Sequence, residues 1–506
     1  MNIFDKRPLS MMLCIMLGGF VFVCIAGTIF KIILTACILL TLLLLYIRPL
    51  RSLIKIGLLR VSLICLLLAV IFSHIYFDLW FKCYDRFEGE SYIVGEITDM
   101  STKGGTATLE LKTDSINDAP LSKYNLMVYV DTAEYYGYSI GSKISFKGKI
   151  EAFKSKDNFD AHTYYTSRGF SGMVQYPSEL VIHENGKSSF SQMITDYRES
   201  VARRLIANTN AETGGLLAAL LLGEKTYLSG EITLDFSRTG LSHVLALSGM
   251  HVSILILGLM RLLNRIGLDK RITALISIPL TVTYMLITGF PISVVRAGLM
   301  LIISSLLFLL SRGRDSISTL SIAVFVICLF TPYAVLDISL WLSAFATLGI
   351  VSMSELSGVK RLPRFLKILL LPFITSLFAL FSTMFISVSS YENISLVGIL
   401  TTPLFSVPIE IFLYVGTLVL LFGNLLPIGR MLSYLGTFII KALGAISDID
   451  YLYVSTDSLL VKLIGICVSV GFILFLILAL RAFATAGFHP QLSHFFTTGW
   501  QQTPAL

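Results

Sequence analysis

The sequence predicts a polytopic α-helical membrane protein, with about eleven transmembrane helices and one small all-β domain outside the cytoplasm. Composition is the first reason. Across 506 residues the chain is 55% hydrophobic and only 14% charged, with a mean hydropathy of +0.79, which is more apolar surface than one soluble domain can bury. The second reason is the recurrence of apolar runs near the roughly 20 residues that a spanning helix needs. The third is where the basic residues fall between those runs.

The apolar runs cover 10–29, 32–48, 57–76, 246–263, 272–289, 292–311, 317–332, 339–355, 368–388, 394–423 and 458–480, with a further interfacial or spanning helix at 431–446. The first has no small-residue cleavage site and is followed at once by another apolar run, so it reads as a helix that stays rather than a signal peptide. Basic residues gather in short loops: Arg48, Arg51 and Lys55; Arg261, Arg265, Lys270 and Arg271; Arg312 and Arg314; Lys360, Arg361, Arg364 and Lys367. The positive-inside rule places these loops in the cytoplasm. The segment after residue 77, Gly289–Pro291, Tyr333–Asp337, Ser389–Asn393 and the acidic stretch from Ser447 then lie outside. Six of the seven cysteines sit in apolar runs and only Cys83 in polar surroundings, which gives neither a disulfide framework nor metal-binding spacing.

Five segments follow from this layout. Residues 1–77 are amino-terminal transmembrane helices, 78–188 the external β domain, 189–212 an amphipathic linker helix, 213–482 a transmembrane domain and 483–506 a short tail. Within the β domain, "TATLELK", "NLMVYV" and "KISFKGKI" alternate with period two and are separated by Gly, Asn and Asp, the pattern of a small barrel or sandwich. In "KISFKGKI", Ile144, Phe146 and Ile150 point one way and Lys143, Ser145, Lys147 and Lys149 the other. That lysine face is either ordinary solvated edge protection or a local contact for single-stranded nucleic acid, with Tyr135, Tyr136 or Tyr138 as stacking platforms. Residues 80–190 hold twelve lysines and arginines against fifteen acids, so this is not a broadly basic surface. The stretch "SFSQMITDYRESVARRLIAN" spaces apolar residues as an amphipathic helix does.

The segment "GLSHVLALSGMHVSI" from Gly240 is apolar enough for a bilayer, yet carries two histidines and three serines. A metal site is disfavoured, because residues eight apart on one helix are about 12 Å apart along its axis, whereas imidazole nitrogens must lie within roughly 2 Å of the ion. Ser248 and His251 share a helix face and would make a nucleophile and base pair, but no oxyanion hole or third orienting group is visible. Two readings remain: small and polar residues binding helices together, or a polar wall facing water. "GEKT" at Gly223–Thr226 mimics a phosphate loop, but Glu224 splits the required Gly-Lys pair and no strand precedes it. Arg296 either snorkels to the interface or lines an aqueous path. Glu410 is either a proton-linked carboxylate or a member of an exposed first turn after Pro408.

The stretch "ALLLGEKTYLSGEITLDFSRTGLSHVLALSGMHVSILI" closely resembles the signature of the ComEC competence protein family, the inner-membrane DNA-uptake channels. "PISVVRAGLM" is similar to that family's Arg-Ala helix. "DISLWLSAFATLGI" is similar to its Leu-Ser-Phe-Ala-Thr-Leu-Gly helix, here with Ala344 between Ser343 and Phe345. "GSKISFKGKIEAFKSKDNFDAHTYYTSRGFSG" resembles the end of the family's external OB-like domain, with Asn158, Asp160, Tyr164 and Arg168-Gly169 in register.

The resemblance implies a channel for single-stranded DNA in the bacterial cytoplasmic membrane, active in natural transformation. Its β domain would be OB-like, its path lined by Ser242, His243, Ser248, Gly249, His251, Arg296 and Ser343, and Lys143, Lys147, Lys149, Tyr135 and Tyr136 would be candidate DNA contacts. It implies as partners a DNA receptor on the outer side, a cytoplasmic helicase or translocase, and further copies of the chain, with no cofactor. Full-length relatives carry a carboxy-terminal metallo-β-lactamase-like domain; no His-x-His-x-Asp-His run occurs here, so the expectation is a non-enzyme. The competing readings are a secondary transporter of a small solute, for which inverted repeats are not visible, and an intramembrane hydrolase using Ser248 and His251.

Overall fold

The computed structural model describes Leu67 and residues 89–472, except 104, 118, 121–123, 132–138, 155–159, 185–189, 314, 355–362, 392, 424–427, 450–452, 456–460 and 470. The predicted helices at 10–29, 32–48 and 57–76, apart from Leu67, lie outside the described residues, as do Cys83, Tyr135, Tyr136, Tyr138 and the tail. The described residues divide into two compact units, one running up to Asp196 together with Phe325–Asp337, the other comprising Tyr197–Val324 and the residues from Ile338 onward.

The β unit contains β1 (Glu90–Lys103), β2 (Thr106–Ile116), β3 (Ala119–Pro120), β4 (Asn125–Asp131), β5 (Lys143–Lys149), the short helix α1 (Ala161–Thr166), β6 (Phe170–Gln175) and β7 (Ser178–Glu184). Its sheet runs β6-β4-β2-β1-β5-β7 with β3 paired to β2, and every pairing is antiparallel except β4 with β6. The sheet rolls toward closure: Glu151, just past β5, exchanges two backbone hydrogen bonds of 2.9 Å with Met173 of β6. The alternation seen in the sequence is the cause of the core. Ile144, Phe146 and Ile150 join Ile93, Leu109 and Leu126 inside, while Lys143 and Lys149 stay exposed. Ser145 departs from that pattern. It is buried, because its hydroxyl meets His183 Nε2 of β7 at 2.6 Å. Tyr333, in a 3₁₀ turn at Pro332–Leu336, lies against Gly169 within this unit, so close that a Cβ there would stand 2.8 Å from the ring.

The helices are α2 (Phe190–Asn208), α3 (Ala211–Leu222), α4 (Gly230–Arg238), α5 (Ser242–Leu245), α6 (Gly249–Arg265), α7 (Lys270–Ile287), α8 (Ile292–Leu309), α9 (Ser316–Phe330), α10 (Ile338–Ser354), α11 (Arg364–Ser390), α12 (Gly398–Phe422) and α13 (Ile428–Ser447). The strands β8 (Asn393–Ser395) and β9 (Tyr453–Ser455) pair antiparallel. Among the described residues four helices are long and apolar enough to cross a membrane: α7, α8, α12 and Phe365–Ser390 of α11; α3, α9 and α10 are shorter and apolar.

Local chemistry explains the boundaries. Asn210 caps α3 by accepting the Thr213 N–H at 2.7 Å, and Gly223 ends it at φ +77°. Leu216–Leu222 of α3 then pack with Phe236, Leu241, Phe412, Leu413 and Ile439 in the main core of the helical unit. The run predicted at 246–263 becomes helical only at Gly249, because Ala246 and Ser248 are extended. Of the linker helix expected over 189–212, α2 covers Phe190–Asn208, and a separate helix, α3, begins at Ala211. Pro403 and Pro408 do not interrupt α12.

Candidate functional site

The interruption of the helix between α5 and α6 builds the site. Ser248 caps α6 in extended conformation, and its backbone N–H donates to His251 Nδ1 at 3.0 Å. A backbone N–H can only donate, so Nδ1 accepts and the neutral ring carries its hydrogen on Nε2. That Nε2 is buried, with no hydrogen-bond partner among the described residues, and His251 as a whole is fully buried. Ser248 Oγ lies 3.3 Å from the same Nδ1. The single lone pair there already receives the backbone N–H, so it is poorly placed to activate the hydroxyl as a nucleophile.

α8 docks onto this break. Ser293 Oγ donates to the Leu247 carbonyl at 2.5 Å, and one turn along the same helix Arg296 reaches toward α10. Its Nε donates to Ser343 Oγ at 2.9 Å, and its Nη1 donates to Thr347 Oγ1 at 2.9 Å and to the Met300 sulfur at 3.2 Å. Thr347 passes its own hydrogen to the Ser343 carbonyl at 2.8 Å. The second guanidinium nitrogen lies over Gly249, where a Cβ would sit 2.9 Å from Nη2 and 2.9 Å from Ala297 Cβ. Only glycine allows α6 to begin there.

Arg296 is 6% exposed, and no carboxylate among the described residues lies within ion-pair distance of it. The amino terminus of α6 adds its own partial positive charge. A cation, a helix amino terminus and neutral hydroxyls therefore meet, with no carboxylate among the described residues to balance them. Chemically, that arrangement suits an anion.

The structure connects Ser248, Gly249, His251, Arg296 and Ser343. Ser242 and His243 lie on α5 with exposed side chains, His243 Nδ1 meets the Gly240 carbonyl at 3.1 Å, and the His243 ring is near enough to His251 for the two to interact electrostatically. The sequence reading missed Thr347, although it lies four residues after Ser343 on one helix face. It also missed Ser293.

In the β unit the three lysines are engaged. Lys143 pairs with Asp114 at 3.3 Å, Lys147 with Glu179 at 2.8 Å and Lys149 with Glu151 at 3.8 Å. Hydrogen bonding to Glu179 pushes the Lys147 ammonium above its ordinary value, and Lys154, followed by Lys149, holds Glu151 below the usual carboxylate range. Arg168 stands 4.2 Å over the Tyr164 ring. On the same sheet Glu110 is pushed up to about 7, first by burial and then by Asp99, against the opposing pull of Arg168.

A family model described as Competence protein matches residues 220–485. The chain is 27% identical over 161 residues to ComE operon protein 3 of Bacillus subtilis (strain 168), covering 31% of this chain and 21% of that protein. It is 35% identical over 134 residues to an uncharacterized protein of Aquifex aeolicus (strain VF5), covering 26% of this chain and 32% of the relative. The matched stretches thus span about a fifth and a third of those relatives. No solved structure matches.

Proposed function

Because this chain belongs to the Competence protein family, we propose that it forms the path by which single-stranded DNA crosses the bacterial cytoplasmic membrane during natural transformation. The observation that carries this reading is the buried Arg296, aimed by Ser343 and Thr347 and unpaired with any carboxylate among the described residues. Lipid offers a phosphodiester no partner, so a route for one must supply fixed donors. Arg296 is the attracting charge. The first turn of α6, with Ser248, Gly249 and His251, supplies neutral donors, and Ser242 and His243 extend the polar wall.

Further parts of the reading follow from the same layout. About eleven helices cross the membrane, and the β unit is an OB-like domain outside the cytoplasm. Tyr333, in a loop assigned outside by the positive-inside rule, packs against Gly169 of that unit, which supports a common side for both. Contact of Lys143, Lys147 and Lys149 with DNA has to compete with Asp114, Glu179 and Glu151, so we assign that face a secondary role. Moving each negative charge inward against an interior-negative potential costs about 2.3 kcal/mol per 100 mV. We therefore assign the pull to a cytoplasmic helicase or translocase, with an outer receptor delivering DNA and further copies of the chain completing the assembly.

The test is a strain lacking this chain. It should bind labelled DNA at its surface normally, while nuclease-protected label in the cytoplasm disappears and returns on complementation. Undiminished cytoplasmic entry in that strain would refute the proposal.

A further inference from the structure

A cation at the amino terminus of a helix is unfavourable, because the unpaired N–H groups there already carry about half an elementary positive charge. α6 begins against one. Arg296 Nη2 stands over Gly249, the first residue of that helix, where a Cβ would lie 2.9 Å from it. The rest of the guanidinium is gripped by Ser343 through Nε and by Thr347 and Met300 through Nη1. Nη2 therefore cannot turn away from α6 without breaking those bonds. Arg296 is 6% exposed, and no Asp or Glu among the described residues lies within ion-pair distance of it.

The donors of the same turn are only partly used. The Ser248 N–H goes to His251 Nδ1 and the His251 N–H to the Ser248 carbonyl at 3.1 Å. Those of Gly249 and Met250 lie in the first turn, where no carbonyl of the helix can reach them. The fully buried Nε2 of His251, two residues past Gly249, also lacks a partner among the described residues. Water would satisfy the N–H groups but would leave a buried cation unbalanced, which is costly. An anion does both.

We propose that the junction of Arg296 and α6 holds a resident inorganic anion, a halide or small oxyanion, bound by Arg296 Nη2 and the first-turn N–H groups, and that an incoming phosphodiester displaces it. A lipid phosphate is the poorer occupant, since so little of Arg296 is exposed. The exchange replaces one anion by another on the same donors, and no covalent bond changes. A phosphate therefore gains only the difference between two anions rather than the full neutralisation of a buried cation. That keeps binding weak enough for the strand to move on, as conduction requires. The anion site stands without the DNA reading; only its displacement by DNA rests on that reading.

The test uses the purified full chain in detergent, with radiolabelled chloride and, separately, radiolabelled inorganic phosphate as probes, and gluconate holding the ionic strength constant. At least one of the two should bind saturably at a single ion per chain and raise the melting temperature in step. Arg296→Gln should lose both effects, and Lys441→Gln, which removes an exposed cation from α13, should keep both. Where Arg296→Gln does not fold, Arg296→Lys, which has no second nitrogen to place over Gly249, should bind the ion about tenfold more weakly. The proposal is overturned by no saturable binding of either ion, by equal binding to the Arg296 variants, or by a stabilisation that only an anionic phospholipid produces. A single-stranded oligonucleotide should release the bound ion. An ion that binds at Arg296 but is not released would uphold the site and count against the DNA path, whereas DNA entry that needs Arg296 in a chain binding no ion would uphold the path and remove this site.

Discussion

Arg296 and Ser343 are joined across α8 and α10 by an Nε–H···Oγ hydrogen bond of 2.9 Å, and Thr347 receives Nη1–H at the same distance. Both acceptors are neutral hydroxyls, so the guanidinium is aimed without its charge being cancelled. A hydrogen bond to a charged group is worth about 1.5–3 kcal/mol. Ser343→Ala combined with Thr347→Val should therefore lower stability by roughly that amount per bond lost and reduce DNA entry per molecule of protein. A melting curve in detergent and quantified uptake in the same strains check this.

His251 does two separable things. Its Nδ1 accepts the Ser248 N–H that starts α6, while its Nε2 hydrogen has no partner among the described residues. His251→Ala should cost about 1 kcal/mol, the usual scale for losing a helix cap. His251→Gln retains a side-chain acceptor at this third helical position. It should recover melting temperature and abundance but leave uptake low. Full recovery of uptake by glutamine would assign His251 to helix initiation alone.

Glu110 sets a pH dependence in the β unit. Its folded value of about 7 stands above the ordinary 4.5, so the folded state holds a proton that the unfolded chain has released. This contribution is fully present below about pH 4.5 and is lost as pH rises toward 7, with an upper limit near 3 kcal/mol. Amide exchange in β1 and β2 should therefore quicken between pH 5 and pH 8 beyond its intrinsic rise. Glu110→Gln should flatten that difference.

The lysine face is held by carboxylates, each a partly exposed pair worth little stability. Glu179→Gln releases Lys147. If this face touches DNA, the variant should bind a single-stranded oligonucleotide more tightly, with a steeper dependence on salt. Unchanged affinity and salt slope would remove the β5 lysines from the DNA surface.

Much of this architecture was legible from residue patterns, because alternation and apolar runs report which faces are buried. "KISFKGKI" put Ile144, Phe146 and Ile150 in the core but also placed the buried Ser145 on the outer face, and the helices from Lys270 to Ser354 lie close to the runs that predicted them. The break at Ala246–Ser248 was hidden because its residues are as apolar as those of the helices beside it. Of the two readings of Glu410, the first-turn one is overturned, for the opposite reason. Proline normally ends a helix, but within an apolar bundle an interrupted backbone would leave polar groups in hydrocarbon, so α12 continues through Pro403 and Pro408. At the site, Arg296, Ser343 and Gly249 were visible as unusual residues in apolar surroundings. Thr347 was not, because a threonine facing its own helix backbone looks the same in sequence as one that holds an arginine.

The most direct measurement is DNA entry in strains carrying Arg296→Gln and Arg296→Lys, normalised to chain abundance in the membrane. Glutamine keeps hydrogen-bonding capacity and loses the charge; lysine keeps the charge and loses the planar fork that Ser343 and Thr347 grip. The expected result is near-normal surface binding of DNA in both, cytoplasmic entry abolished by glutamine and partly retained by lysine. Normal entry per molecule with glutamine at position 296 would contradict a phosphate path through this site.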